Sequence, residues 1–176
     1  MRCAAGADFR VTIDPMPERL DPIAARLGEV LLRRGMTLTC AESCTGGWIS
    51  KVVTDIPGSS AWFDRGFVTY SNQSKREMLG VTAATLDNHG AVSEPVVLEM
   101  AAGALERSCA QVAVAVSGVA GPGGGVPDRP VGTVWFAWSW PDAPPETRLL
   151  QFAGDRAEVR HQSVRLALER LVEILA

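Results

Sequence analysis

The chain has 176 residues, of which 47% are apolar and 21% are charged, with 17 basic and 20 acidic side chains. This length is typical of one domain, and this composition excludes disordered and collagen-like proteins. The formal net charge of −3 argues against binding to a nucleic-acid backbone, which requires clustered positive charge.

The cysteines and the N-terminal residues exclude several further classes. The four cysteines are Cys3, Cys40, Cys44 and Cys109. Their spacing fits neither a zinc site nor a small disulfide scaffold, so we expect reduced cysteines, no metal and no cofactor. No apolar run is long enough for a membrane span, and residues 1–17 lack the hydrophobic stretch of a signal peptide. We therefore expect a cytoplasmic protein, with no membrane partner, in which a flexible extension (1–17) precedes one domain (18–176).

The first half of the chain alternates helices and strands. A helix is predicted from its candidate cap Asp21, followed by Pro22, to Gly35, which favours a helix end. A short buried strand (36–41), a tight turn (42–47) and a helix (48–54) follow. A second strand is predicted at 62–70, and the next helix begins at Ser71 or Asn72 and ends at Gly80.

The second half continues the alternation. A helix capped by Ser93 is predicted to run to residue 108, and a strand of small apolar residues follows at 111–116. A glycine-rich loop then leads to two strands, at 132–140 and 147–152. The last helix begins at Asp155, with Glu158 completing a capping box. The pattern predicts an α/β fold, a single domain with a mixed β-sheet covered by helices on both faces.

The turn at 42–47 is the strongest local signal for a site. Ser43 follows a buried strand and precedes a helix, so its hydroxyl is expected at the carboxyl edge of the sheet, where α/β folds bind ligands. The helix N-terminus offers free backbone N–H groups, and Thr45 and Gly46 are candidate ligand contacts beside them. The alternative is that Ser43 or Thr45 is only a helix cap and the glycines only form a turn.

Tyr70 and Lys75 mark a second candidate loop. Tyr70 is the only tyrosine in the sequence, and Lys75 is one of two lysines, the other being Lys51. Lys75 is predicted in the first turn of a helix, where the helix dipole disfavours a cation but suits a lysine that must lose its proton. Tyr70 could relay that proton or hold the lysine. The alternative is a solvated lysine beside an interface tyrosine.

A third candidate is the loop at 117–125, which begins with Ser117 and Gly118. It resembles an anion-binding loop but lacks the ending of a Walker A motif and does not match a dinucleotide-binding fingerprint. Arg156 stands in the first turn of the last helix, where a bound phosphate would compensate its unfavourable position. The alternative is a mobile loop and an exposed arginine.

Several blocks of sequence together resemble the C-terminal domain family of the competence/damage-inducible protein CinA, in particular its stand-alone bacterial members, the nicotinamide-nucleotide amidohydrolases. The blocks are AESCTGG at 41–47, IPGSSAWFDRGFVTYSNQSK at 56–75, HGAVSEPV at 89–96, SGVAGPGGG at 117–125 and PVGTVWFA at 130–137. They occur in order, and the resemblance covers about residues 18–176.

This resemblance implies hydrolysis of the carboxamide of nicotinamide mononucleotide to nicotinate mononucleotide and ammonia, by a serine mechanism without metal. The implied catalytic residues are Ser43, Tyr70 and Lys75, and implied substrate contacts fall on Gly58, Ser117 and Arg156. We hypothesise that Lys75, with Tyr70, deprotonates Ser43 while backbone N–H groups of residues 44–47 stabilise the oxyanion.

Two other functions stay open at this point. One is a non-catalytic nucleotide-binding or regulatory module related to competence proteins, and the other is a Ser-Lys amidase with a different substrate. The alternating aromatic residues at 135–140 are predicted to lie in the core or in a subunit contact, which leaves a homo-oligomer open.

Overall fold

The computed structural model describes residues 19–176, and the predicted extension at 1–17 lies outside the described residues. Five strands form one sheet: β1 Leu38–Glu42, β2 Phe63–Val68, β3 Val112–Gly118, β4 Thr133–Ser139 and β5 Glu146–Gln151. Their order is β2-β1-β3-β4-β5, in which β2, β1 and β3 are parallel and β4 and β5 are antiparallel to their neighbours. The predicted mixed sheet is confirmed.

Helices cover both faces of this sheet. They are α1 Asp21–Arg34, α2 Trp48–Thr54, α3 Asn72–Leu79, α4 Ala83–His89, α5 Glu94–Glu106 and α6 Arg156–Leu175, with a 3-10 turn at Ser59–Ala61. Leu27, Ile49 and Leu168, from α1, α2 and α6, belong to the apolar core on one face. Leu79 and Met100, from α3 and α5, belong to the core on the other face. No helix within residues 19–176 is long and apolar enough to cross a membrane.

The central strand β3 shows how the sequence builds these two layers. Its alternating side chains point to opposite faces, as in any strand. Val112, Val114 and Val116 enter the core beside α1 and α6, whereas Ala113 and Ala115 enter the core beside α5. Burial on both faces explains why this strand lacks polar alternation.

The predicted helix ends are correct in some places and wrong in others. Ser71 caps α3, Gly80 ends it in a left-handed conformation, and Asp155 and Glu158 form the predicted capping box of α6. Asp21 does not cap α1, because its carboxylate pairs with Arg19 and the N-cap position is occupied by Leu20.

Between β2 and β3 the structure differs from the predicted elements at two further places. Ser93 stands at the N-cap of α5, but its hydroxyl donates to the Gly90 carbonyl and does not cap the helix. The short helix α4, capped by Thr82, was not predicted as a separate element.

The parallel strands decide where a site can form. The chain leaves β1, β2 and β3 at the same edge of the sheet, immediately after Glu42, Val68 and Gly118. The three loops singled out from the sequence therefore meet there, because open α/β sheets bring their strand-end loops together.

Candidate active site

The turn between β1 and α2 is organised by a buried carboxylate. Glu42 accepts hydrogen bonds from the backbone N–H groups of Gly47, Ile49 and Ser50, and from the Ser50 hydroxyl, at 2.7–3.0 Å. A carboxylate at a helix N-terminus satisfies amides that the helix leaves free. Gly46 and Gly47 have φ values of +61° and +91°, which favour glycine. Together these features present Ser43 at the sheet edge.

Lys75 reaches this serine from α3. Its side chain is only 1% exposed, although it carries an amine. The Nζ atom donates to Ser43 Oγ at 3.0 Å and to the Thr69 carbonyl at 2.7 Å. Both partners are uncharged, so the buried amine has a hydroxyl and a carbonyl as partners and no carboxylate.

Burial lowers the pKa of Lys75 from its ordinary 10.5 to about 8. The physical cause is the cost of keeping a charge away from water. A substantial share of Lys75 is therefore neutral in mildly basic solution. A neutral amine 3.0 Å from a hydroxyl can accept the proton of that hydroxyl.

Two backbone N–H groups of the turn stay available to a ligand. The Ser43 amide donates to the Val116 carbonyl and the Gly46 amide to the Ser43 carbonyl, while the Gly47 amide is held by Glu42. The amides of Cys44 and Thr45 make no hydrogen bond to another residue of the part of the chain that the structure describes. Of the four amides at 44–47, the first two are thus candidate oxyanion donors.

A cavity of about 250 Å³ opens beside this dyad. It is lined by Ser43, Cys44, Tyr70, Lys75, Ala91, Val92, Ser117, Gly118, Ala120 and Arg156. The structure thereby brings together six of the candidate residues: Ser43, Tyr70, Lys75, Ser117, Gly118 and Arg156. Ser117 is buried, and its hydroxyl donates to the Ala91 carbonyl at 2.7 Å. Ser117 Oγ thus offers an acceptor to the cavity.

Tyr70 lies at the mouth of the cavity with Arg156. Arg156 Nη2 donates to Tyr70 Oη at 3.1 Å, and Nη1 donates to the Gly121 carbonyl at 2.8 Å. Tyr70 is 63% exposed and makes no hydrogen bond to Lys75. The expectation that Tyr70 holds the lysine is corrected here, because the carbonyl of the preceding residue, Thr69, does so.

Three other candidates do not line the cavity. Gly58 precedes β2 and so lies at the opposite edge of the sheet from Ser43. Thr45 is fully buried, and its hydroxyl has no hydrogen-bond partner among residues 19–176. Gly46 does not line the cavity, and its part in the turn is its positive φ.

Two residues of the site were not foreseen. Glu42 carried no signal beyond standing at the end of a strand. Arg160 donates from Nε to the Cys44 carbonyl at 3.0 Å and from Nη2 to the Thr45 carbonyl at 2.8 Å. The only available signal for Arg160 was its position one helical turn after Arg156, which places the two on the same side of α6.

Cys44 also lines the cavity. Burial raises the pKa of Cys44 to about 12, so this thiol stays protonated and is a poor nucleophile. Within residues 19–176, no group of three His, Cys, Asp or Glu side chains converges as a metal ion requires.

Comparison with known proteins places the chain in a family. The CinA C-terminal domain matches residues 20–175. The chain belongs to this family. The family member PncC of Escherichia coli K12, a nicotinamide-nucleotide amidohydrolase, is 56% identical over 149 residues, which are 85% of this chain and 90% of PncC. PncC of Pseudomonas putida is 52% identical over 158 residues, covering 88% of this chain and 98% of that protein.

Solved CinA-family structures share the fold. The crystal structure of the competence/damage-inducible protein CihA from Agrobacterium tumefaciens matches with a TM-score of 0.87 and 44% identity. The match covers 92% of this chain and 99% of CihA. The sheet and helices described above are therefore the CinA-family fold.

We predict that Lys75→Met stabilises this CinA-family protein at neutral pH. The pKa of Lys75 is about 8 in the folded protein and an ordinary 10.5 in the unfolded chain. Below pH 8 the amine is charged in both states, and burying that charge lowers the free energy of unfolding by its full amount. That cost disappears as the pH rises from about 8 to 10.5. After allowing for the lost hydrogen bonds, the free energy of unfolding should rise by about 2 kcal/mol at pH 7 and not at pH 10.5. Urea unfolding at both pH values measures this.

Lys51→Met is the matched control, since Lys51 is an exposed surface lysine paired with Asp55. It should leave the free energy of unfolding within about 0.5 kcal/mol at both pH values. A lower free energy of unfolding for Lys75→Met at pH 7 would contradict the claim that the buried charge of Lys75 destabilises the folded protein.

Proposed function

We propose that this chain is a nicotinamide-nucleotide amidohydrolase that converts nicotinamide mononucleotide to nicotinate mononucleotide and ammonia. The observation that carries the proposal is the buried contact, 3.0 Å long, between Lys75 Nζ and Ser43 Oγ. It supplies a nucleophile and its base with no further group required. The two PncC relatives support the choice of substrate.

The first chemical step forms an ester on the serine. Neutral Lys75 accepts the Ser43 proton while Oγ attacks the carboxamide carbon. The resulting oxyanion is met by the free amides of Cys44 and Thr45, and such a donor typically contributes about 3–4 kcal/mol to the transition state. The Lys75 ammonium then gives its proton to the departing nitrogen, and ammonia leaves.

The second step returns the enzyme to its starting state. Water attacks the ester carbon and gives a proton to Lys75, which is neutral again after ammonia has left. When the carbon–Oγ bond breaks, Lys75 returns the proton to Ser43 Oγ. The product acid then loses its own proton to solvent and leaves as the carboxylate. The Thr69 carbonyl holds Nζ throughout, because a neutral amine can donate one N–H to it while its lone pair faces Ser43.

The cavity suits one end of this substrate. Its volume of about 250 Å³ leaves room for the pyridine ring and carboxamide. Ser117 already donates its hydroxyl proton to Ala91, so its oxygen can accept an N–H from the carboxamide. The ribose phosphate then extends past Arg156 and Tyr70 into a neighbouring hollow of about 600 Å³ that Arg156 also borders. In this proposal Tyr70 and Arg156 bind the substrate.

Ser43→Ala tests the nucleophile. Ammonia release from nicotinamide mononucleotide should fall by about 10³-fold or more, since the remaining site can bind but cannot form the ester. Ser60→Ala, at the exposed 3-10 turn near the opposite sheet edge, is the control and should retain full activity. Binding of the mononucleotide by the wild type without any ammonia release would contradict the proposal and favour a regulatory module.

Lys75→Arg tests the base. Arginine stays charged and cannot accept the Ser43 proton, so kcat should fall by about 10²-fold or more. The matched variant Lys51→Arg changes the other lysine, at the surface, and should leave kcat unchanged. Activity of Lys75→Arg close to that of the wild type would exclude Lys75 as the base.

A further inference from the structure

Arg160 holds the backbone of the turn that carries Ser43. From α6 it reaches across about 115 residues of sequence to the carbonyls of Cys44 and Thr45, at 3.0 and 2.8 Å. Its guanidinium also lies 5.3 Å from the centre of the Trp48 ring, at the start of α2. This is a rigid fork with three contacts on one short segment, an arrangement that lysine cannot reproduce.

The geometry of the peptide bond links these contacts to the proposed oxyanion site. The Cys44 carbonyl and the Thr45 N–H belong to one planar peptide unit, and in a trans peptide they point in opposite directions. Arg160 binds the carbonyl end of this unit. The N–H end is therefore directed away from Arg160, and it makes no hydrogen bond to another described residue.

The backbone that follows Thr45 is flexible in sequence terms, so the orientation of the Cys44–Thr45 peptide depends on contacts from other residues. Gly46 and Gly47 follow at positive φ, in a region of the backbone where glycine has many accessible conformations. Glu42 holds the turn from its far end, through the amides of Gly47, Ile49 and Ser50. Backbone hydrogen bonds hold the peptide units on either side of Ser43, through the Ser43 amide and the Ser43 carbonyl. The next unit, Cys44–Thr45, is held by Arg160 through the Cys44 carbonyl.

We propose that Arg160 is a positioning residue, which orients the Cys44–Thr45 peptide so that the Thr45 N–H faces the developing oxyanion. The inference rests on the proposed amidohydrolase function. The positive charge on the carbonyl end also polarises the peptide and strengthens its N–H as a donor. Arg160 acts through the backbone and does not itself contact the reacting atoms.

A competing role for Arg160 is direct binding of the substrate phosphate, because Arg160 also borders the hollow next to the cavity. The two roles differ in kinetics. A residue that orients an oxyanion donor affects the transition state, so its loss lowers kcat, whereas loss of a phosphate contact raises KM.

The test uses Arg160→Met, which keeps an apolar stem beside Trp48 and removes every donor. With nicotinamide mononucleotide we expect kcat to fall by about 10²-fold or more and KM to change by less than about threefold. Arg160→Lys should recover part of kcat through one carbonyl contact and also serves if the Met variant folds poorly. Arg33→Met, which removes an exposed arginine of α1, is the matched control and should leave both constants unchanged.

A second measurement separates this inference from the proposed function. Pyridine-3-boronic acid forms a tetrahedral adduct with a reactive serine, and its binding is followed by tryptophan fluorescence without any turnover. Its affinity should fall by about tenfold or more in Arg160→Met, whereas Arg33→Met should bind it as the wild type does.

Each outcome decides between the roles. Unchanged kcat and unchanged boronate affinity in Arg160→Met would overturn the positioning role, and so would a raised KM with unchanged kcat. A third outcome is that Arg160→Met binds the boronate more weakly while the wild type releases no ammonia from nicotinamide mononucleotide. That result would support the positioning role and exclude nicotinamide mononucleotide as the substrate. A wild type that hydrolyses the mononucleotide at the same rate as Arg160→Met would reject only the positioning role.

Discussion

The rest of the site depends on one interaction, the buried hydrogen bond between the Lys75 amine and the Ser43 hydroxyl. Lys75 is enclosed where the loops after β1 and β2 meet, and its partners are the Ser43 hydroxyl and the Thr69 carbonyl. Its place in the first turn of α3 also sets the helix dipole against a positive charge. Burial and helix position therefore both favour the neutral amine, which is the form that a base requires.

Opposite charges hold the turn around Ser43 from two sides. The buried Glu42 carboxylate binds amides on the α2 side, and Arg160 binds carbonyls on the α6 side. Between them, the amides of Cys44 and Thr45 are left without a protein partner among the described residues. The fold thus fixes the turn with contacts that do not use the groups expected to meet the substrate, which is how a preorganised site avoids reorganisation during reaction.

Local signals in the sequence predicted much of this arrangement. Ser71 and Gly80 bracket α3, so Lys75 was correctly predicted in its first turn, and the strand before Ser43 was correctly predicted to end at the sheet edge. The Ser43–Lys75 pair was expected from the family resemblance, whereas other contacts across the fold could not be predicted from residue spacing, because they depend on strand order. Tyr70 meets Arg156 and not Lys75, and Arg160 reaches a turn about 115 residues away.

The pKa of Lys75 in the folded protein tests the account most directly. Because the chain has two lysines, Lys51→Arg leaves one, and the NMR signal of its labelled ε-carbon reports Lys75 alone. We expect this signal to titrate with a midpoint near 8, the value that burial imposes. A midpoint near 10.4, as in a free lysine, would leave fewer than about one molecule in a thousand with a neutral amine at pH 7, against about one in ten for a midpoint near 8, and would contradict Lys75 as the base.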